Sequence, residues 1–326
     1  MVEIRQRKTV GEILVRIWKN YSIVVVFFVI IAICGILAPR FLQPNNLLNI
    51  LRNTSIVGVI ALGMTFVIIG GGIDLSSGPV MATSGAALIF MQRMVTEAGT
   101  PVYPLWFAIL VCCLIGTAFG LLNGLIITKA KLPPFIVTLA VGIIARSLVM
   151  YFGRGATIMG NRIIEFTRIG SGSIFGIPTP FIIAALLAFL FHFILTKTKF
   201  GTYVFAVGGN ENASRYSGIK VDRIKIYTYM IVGLCAGIAA TIEMSRMAAV
   251  AVTTSGSQYE FEAITAVIVG GTALSGGRGR ILGTIVGFVI LGIVNNMMIM
   301  LNISPYLSGA VKGSVILFAV LMQRKD

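Results

Sequence analysis

The chain has 326 residues, 57% of them hydrophobic and 11% charged, and 26 Lys and Arg against 11 Asp and Glu leave a formal net charge of +15. Soluble domains carry about 25% charged residues, and a mean hydropathy of +0.95 implies more apolar surface than a water-soluble fold of this length can hide. A soluble domain is excluded, and lipid is the solvent implied.

A membrane-spanning helix needs roughly 17–25 mostly apolar residues. The first such run covers residues 22–38, behind the basic Arg5, Arg7, Lys8, Arg16 and Lys19. It has no small-residue cleavage site, so it reads as a first membrane helix and not as a signal peptide. Further runs follow at residues 48–70, 80–94, 105–128, 134–152, 181–195, 224–247, 261–274, 281–301 and 306–322. The chain is therefore expected to be an all-α polytopic membrane protein of about ten transmembrane helices, some short or broken. The run at 261–274 is one of the short ones.

The basic residues sit in short loops, where they act as orientation signals; nucleic acid is not an expected partner. With the N-terminus inside, Lys129, Lys131, Lys197, Lys199, Arg215, Lys220, Arg223, Lys225, Arg278, Arg280, Arg324 and Lys325 join the N-terminal charges on the inner side. Arg40, Arg52, Arg93, Arg154, Arg162, Arg168 and Arg246 fall on the outer side. The excess inside predicts that both termini are cytoplasmic. Cys34, Cys112, Cys113 and Cys235 lie in apolar runs without metal-ligand spacing, and one histidine, His192, cannot build a multi-histidine site. No metal or cofactor is expected.

Chemistry-bearing residues are sparse. Asp74 is the only acid between Glu12 and Glu97. An acid at membrane depth costs about 2.5–3.5 kcal/mol, so it should face a partner or a cavity. It either organises a broken segment after Gly70, Gly71 and Gly72 or, with Ser76, caps the next helix. Asn53, Thr54, Thr65, Asn123, Asn295, Asn296 and Asn302 lie in or beside apolar runs. They line a hydrophilic path or tie helices together; Asn295 and Asn296 point about 100° apart, so at most one faces a pore. The stretch Gly71-Gly72-Ile73-Asp74-Leu75-Ser76-Ser77-Gly78 is echoed by Gly270-Gly271-Thr272-Ala273-Leu274-Ser275-Gly276-Gly277. Paired helix breaks of this kind point to transport sites, although 37 glycines leave room for coincidence.

The inner loop at residues 196–223 contains a short stretch, 210–216, long enough for about two helical turns. Asn210 can cap its start and Gly218 can end it, and Glu211 and Arg215, four apart, share a face. Near the outer side, Glu243 and Arg246 are spaced to pair, and Glu260 and Glu262 flank Phe261. With the outer arginines they offer charges to a docking protein or anchor the interface. Arg146 and Lys312 fall within spans, as pathway residues or as snorkelling cations. No G-x-x-x-x-G-K-[ST] loop, G-x-S-x-G or H-E-x-x-H motif occurs, so the chain is not expected to be an enzyme.

Three stretches together resemble the ribose-type ABC sugar permease family: Ala61 to Ile68 followed by Gly72-Ile73-Asp74-Leu75-Ser76; Gly201 to Gly218 with G-G-N-E-N-A-S-R-Y-S-G; and Gly270 to Gly279. The likeness runs from about Phe41 to the C-terminus, with one departure, Pro79 in place of a small residue. It implies a single transmembrane permease domain over residues 1–326, in a bacterial inner membrane, forming half of a dimeric pore with a second permease chain. A separate ATP-hydrolysing subunit would engage the cytoplasmic coupling segment 196–223 through Gly208, Gly209, Asn210, Glu211, Ser214, Arg215 and Gly218. A soluble sugar-binding protein would dock outside, with Arg246 and Glu260 as candidate contacts. The cargo would pass Asn53, Thr65, Asp74, Ser76, Asn123, Asn295 and Asn296. The competing expectation is a secondary transporter coupled to an ion gradient through Asp74.

Overall fold

The computed structural model describes residues 27–96, 101–161, 163–304, 307, 309–314 and 317. The N-terminal basic residues, Glu12, Glu97, Arg162, Arg324, Lys325 and most of the 306–322 run lie outside them. In chain order the helices are α1 (Phe27–Leu37), α2 (Pro44–Ile69), α3 (Ser77–Arg93), α4 (Leu105–Lys129), α5 (Pro134–Phe152), α6 (Ile164–Ser171), α7 (Thr179–Lys197), α8 (Lys199–Gly209), α9 (Glu211–Tyr216), α10 (Val221–Met247), α11 (Tyr259–Val269) and α12 (Ile281–Met300). Among the described residues six are long and apolar enough to cross a membrane: α2, α4, α5, α7, α10 and α12. The molecule is all-α and polytopic.

Proline opens several of these helices. Pro44, Pro134 and Pro180 stand in the first turns of α2, α5 and α7, where the missing N–H costs nothing. Pro79 falls in the first turn of α3 and is accommodated there in the same way. The expected short run at 261–274 is shorter still, because α11 ends at Val269 and Gly270 caps it. Residues 153–178 carry structure of their own. They fold as α6 between β1 (Ile158–Met159) and the hairpin of β2 (Ser173–Ile174) and β3 (Ile177–Pro178). β1 pairs antiparallel with β4 (Ala249–Val250), tying this loop to the end of α10.

α2 is the buried axis of the bundle, with α7, α10, α11 and α12 packed round it. Phe66 on α2 meets Phe191 edge-on at 5.3 Å and stacks on Phe200 at 6.1 Å. The most extensive helix contact is between α4 and α10, and it is close. Gly116, Gly120 and Gly124 form a stripe along α4, and a Cβ at Gly120 would lie 2.2 Å from the Tyr229 carbonyl oxygen. Gly233 on α10 answers them, with a Cβ position 2.2 Å from the Gly116 carbonyl oxygen. Lipid supplies no hydrophobic drive between helices, so small residues that let backbones touch provide the attraction.

A side chain at Gly120 meets backbone that no rotamer change can move aside. Gly120→Leu is expected to destabilise the protein by about 3 kcal/mol and lower its melting temperature in detergent by roughly 5–10 °C. Leu121→Ala, one position away at a 37% exposed residue, should shift it by no more than about 2 °C, both read by fluorescence-monitored gel filtration after heating.

Candidate functional site

The two helix breaks are built in the same way, with Gly70 and Gly71 matching Gly270 and Gly271, one residue out of register with the G-G-x-x-L-S-x-G echo. In the first, Gly71 N–H donates to the Ile68 carbonyl at 3.0 Å and Gly72 N–H to that of Val67 at 2.9 Å. In the second, Gly271 N–H donates to Ile268 at 2.9 Å and Thr272 N–H to Val267 at 3.2 Å. Gly71 and Gly271 take φ of 78° and 83°, the left-handed conformation that glycine adopts without penalty. The two breaks then meet: Gly277 N–H donates to the Ile69 carbonyl at 2.8 Å. Gly208 of α8 completes the junction, since a Cβ there would sit 1.7 Å from the Ile69 carbonyl oxygen. Three separated stretches of sequence thus touch backbone to backbone at one end of the bundle.

Beyond the first break the chain turns back into the protein, and its polar groups are met by three neighbouring helices. Asp74, 2% exposed, accepts from Ser76 N–H at 2.7 Å and from the Ser76 hydroxyl at 2.6 Å. Asn123 on α4 donates to Ser76 Oγ at 2.8 Å. Leu75 N–H donates to Thr138 Oγ1 on α5 at 3.1 Å, and the Tyr229 hydroxyl on α10 donates to the Ile73 carbonyl at 3.2 Å. Ser76 stands at the start of α3, but no side chain caps that helix. Of the two roles expected for Asp74, organiser of the turn is the one its bonds describe.

The remaining pathway candidates part company. Thr65 Oγ1 lies 2.8 Å from Thr284 Oγ1 and links α2 to α12. Asn296 exchanges amide bonds of 2.8 and 3.1 Å with Asn46 and does the same work nearer the other end. Asn295 lines a cavity of about 140 Å³. Asn53 accepts a hydrogen bond from Arg246. The expected Glu243–Arg246 pair makes no contact ion pair: the guanidinium reaches across to Asn53 on α2, close enough to act electrostatically on Glu243. Glu260 is corrected. It is buried rather than displayed for docking, because its carboxylate packs into the space left by Gly78. Both span cations have partners within the protein. Arg146 donates to the carbonyls of Val252 at 3.0 Å and Ser255 at 2.9 Å, and Lys312 pairs with Glu262.

The short helix expected in the inner loop is α9. Asn210 Oδ1 caps it, accepting from Ala213 N–H at 2.9 Å, and Gly218, at φ 81°, follows its end. Arg215 bonds Glu211 at 3.3 Å and Asp222 at 3.0 Å, and Lys225 bonds Glu211 at 2.6 Å. Burial alone would raise the Glu211 pKa, but Lys225 and Arg215 outweigh it and hold the carboxyl below its usual range. The network braces α9 against the start of α10. The role of Asp222 and Lys225 escaped sequence reading, although i+7 and i+14 from charged loop residues they were open to view. Tyr216, 91% exposed, is presented at the end of α9.

Comparison with known proteins follows the same lines. Residues 46–320 match a family described as branched-chain amino acid transport system / permease component. The ribose import permease protein of Bacillus subtilis (strain 168) is 45% identical over 299 residues, 91% of this chain and 90% of its own length. That of Escherichia coli (strain K12) is 39% identical over 92% of both chains. The L-arabinose transport system permease protein of Escherichia coli (strain K12) is 36% identical, over 95% of this chain and 92% of its own. No solved structure matches.

The junction makes a sharp prediction for neighbouring glycines. Gly208→Ala should cut transport by roughly tenfold or more, because its methyl group collides with backbone. Gly209→Ala, with nothing within 4 Å of its Cβ position, should leave it within about twofold. Uptake in cells at matched membrane levels of each variant is the measurement.

Proposed function

The chain belongs to the family of branched-chain amino acid transport system permease components, a permease subunit of the ABC sugar-import kind, and we propose that it carries a ribose-like monosaccharide across the bacterial inner membrane under the drive of a separate ATPase. The observation that supports this reading best is the glycine junction. A partner pressing on α8 and α9 would bear directly, through Gly208, on both helix breaks at once.

In this reading residues 196–223 are the cytoplasmic coupling segment. Gly208 transmits the movement, and Gly209, whose Cβ position is open, leads on to α9; Asn210, Glu211, Ser214, Arg215 and Gly218 hold α9 in shape, and exposed Tyr216 gives the ATPase a contact. The chain makes about ten crossings, with both termini in the cytoplasm, as the inner excess of Lys and Arg favours. It pairs with a second permease chain, and a soluble sugar-binding protein delivers cargo to the outer face, where Arg246 is held by Asn53. The names of relatives that carry ribose and L-arabinose support a monosaccharide. An ion-coupled mechanism would need Asp74 free to exchange an ion, whereas its carboxylate is engaged by Ser76.

Affinity purification of the tagged chain from mild detergent, beside the Glu211→Ala/Arg215→Ala variant, tests the coupling. An ATPase subunit should accompany the parent chain and fall by roughly tenfold in the variant. A chain that purifies alone and transports in vesicles without ATP would overturn the reading in favour of ion coupling.

A further inference from the structure

The cavity beside Asn295 lies between α11, α12 and the helical residues 309–314. Its wall is mostly apolar, from Phe261, Leu291 and Val294, with Gln258, Glu262, Asn295 and Lys312 as the polar groups set into it. Gly309 and Gly313 face it without side chains, and nothing among the described residues lies within 4 Å of either Cβ position. At about 140 Å³ it has room for several waters.

Its depth matters. Glu262 is seven residues from the end of α11 at Val269, or about 10 Å from the junction at 1.5 Å per residue. Asn295 is fourteen residues into α12, or about 21 Å. With the junction at the cytoplasmic edge of the bilayer, as the coupling reading has it, both fall within a hydrocarbon layer of about 30 Å. Glu262 and Lys312 meet there at 2.5 Å, with side chains only 14% and 27% exposed. A charge pair at that depth is expensive and marks a functional position by default.

We propose that this cavity is a monosaccharide-binding site on the transport path, a proposal that rests on the sugar-import reading above. A neutral sugar carries hydroxyls that donate and accept, and one apolar C–H face. The pair is closed on itself and has no net charge, so it offers neither end of a zwitterion a free partner. The lone pairs left on the Glu262 carboxylate and the amides of Asn295 and Gln258 suit hydroxyls. Phe261, 48% exposed, offers a ring for the C–H face.

The test uses the complete importer in proteoliposomes, with D-ribose as cargo. Phe261→Leu and the double variant Glu262→Gln/Lys312→Met should each lower sugar moved per ATP hydrolysed by roughly tenfold. ATP hydrolysis stimulated by the loaded binding protein should stay within about twofold. Asn295→Cys should react with a charged methanethiosulfonate reagent, more slowly during ribose transport and at an unchanged rate with leucine. Wild-type coupling in the variants, a matched fall in uptake and hydrolysis, or protection by leucine would overturn the site while sugar import stands. A parent importer that moves none of D-ribose, D-allose and L-arabinose with ATP would overturn the sugar reading and the site with it.

Discussion

Lipid offers a backbone no hydrogen-bond partner, so a helix that breaks inside a membrane protein must find its partners within the protein. The architecture follows from how this chain meets that demand. Gly71 and Gly271 fold the last turns of α2 and α11 back on themselves, and Gly277 N–H satisfies the Ile69 carbonyl from across the junction. The segment after the first break is met by Thr138, Tyr229 and the Asp74–Ser76–Asn123 chain. Three helices, α4, α5 and α10, are thereby committed to one irregular turn. A transport protein needs irregular backbone near its path, and here it is held by hydrogen bonds from within the protein.

The second constraint is closeness. α8 reaches the breaks only because Gly208 and Gly276 carry no side chains, and α4 reaches α10 only because Gly116, Gly120 and Gly233 carry none. These contacts are stiff, since moving one backbone moves the other with it. Stiffness along α4–α10 holds the scaffold, while at the junction it offers a short mechanical route from the solvent-exposed α9 to two helix ends. The ion network of Glu211, Arg215, Asp222 and Lys225 keeps α9 from flexing independently of α10.

Much of this was legible in the sequence. Apolar runs disclosed the membrane class, and the α9 cap at Asn210 followed from local chemistry that depends on nearby residues. The echo of G-G-x-x-L-S-x-G was visible, but its meaning was not: a repeated motif does not reveal that its copies touch. Glu260 looked like an outer charge because it borders an apolar run; its burial depends on Gly78, far away in the chain. For Thr65 and Asn296 the sequence left pore lining and helix tying both open, because the partners that decide it, Thr284 and Asn46, sit on other helices. Lys312 and Glu262 went unpaired for the same reason. The G-x-x-x-G-x-x-x-G stripe of α4 was there to be read and was passed over among so many glycines.

The central claim is that residues 66–76, 199–218 and 270–280 move as one unit when ATP is used. Hydrogen–deuterium exchange of the assembled importer, resting and trapped with a non-hydrolysable nucleotide, measures this segment by segment. The account predicts slow exchange of the Gly277 amide at rest and a change that appears in all three segments together. A change confined to 199–218, with the two breaks unaffected, would contradict it.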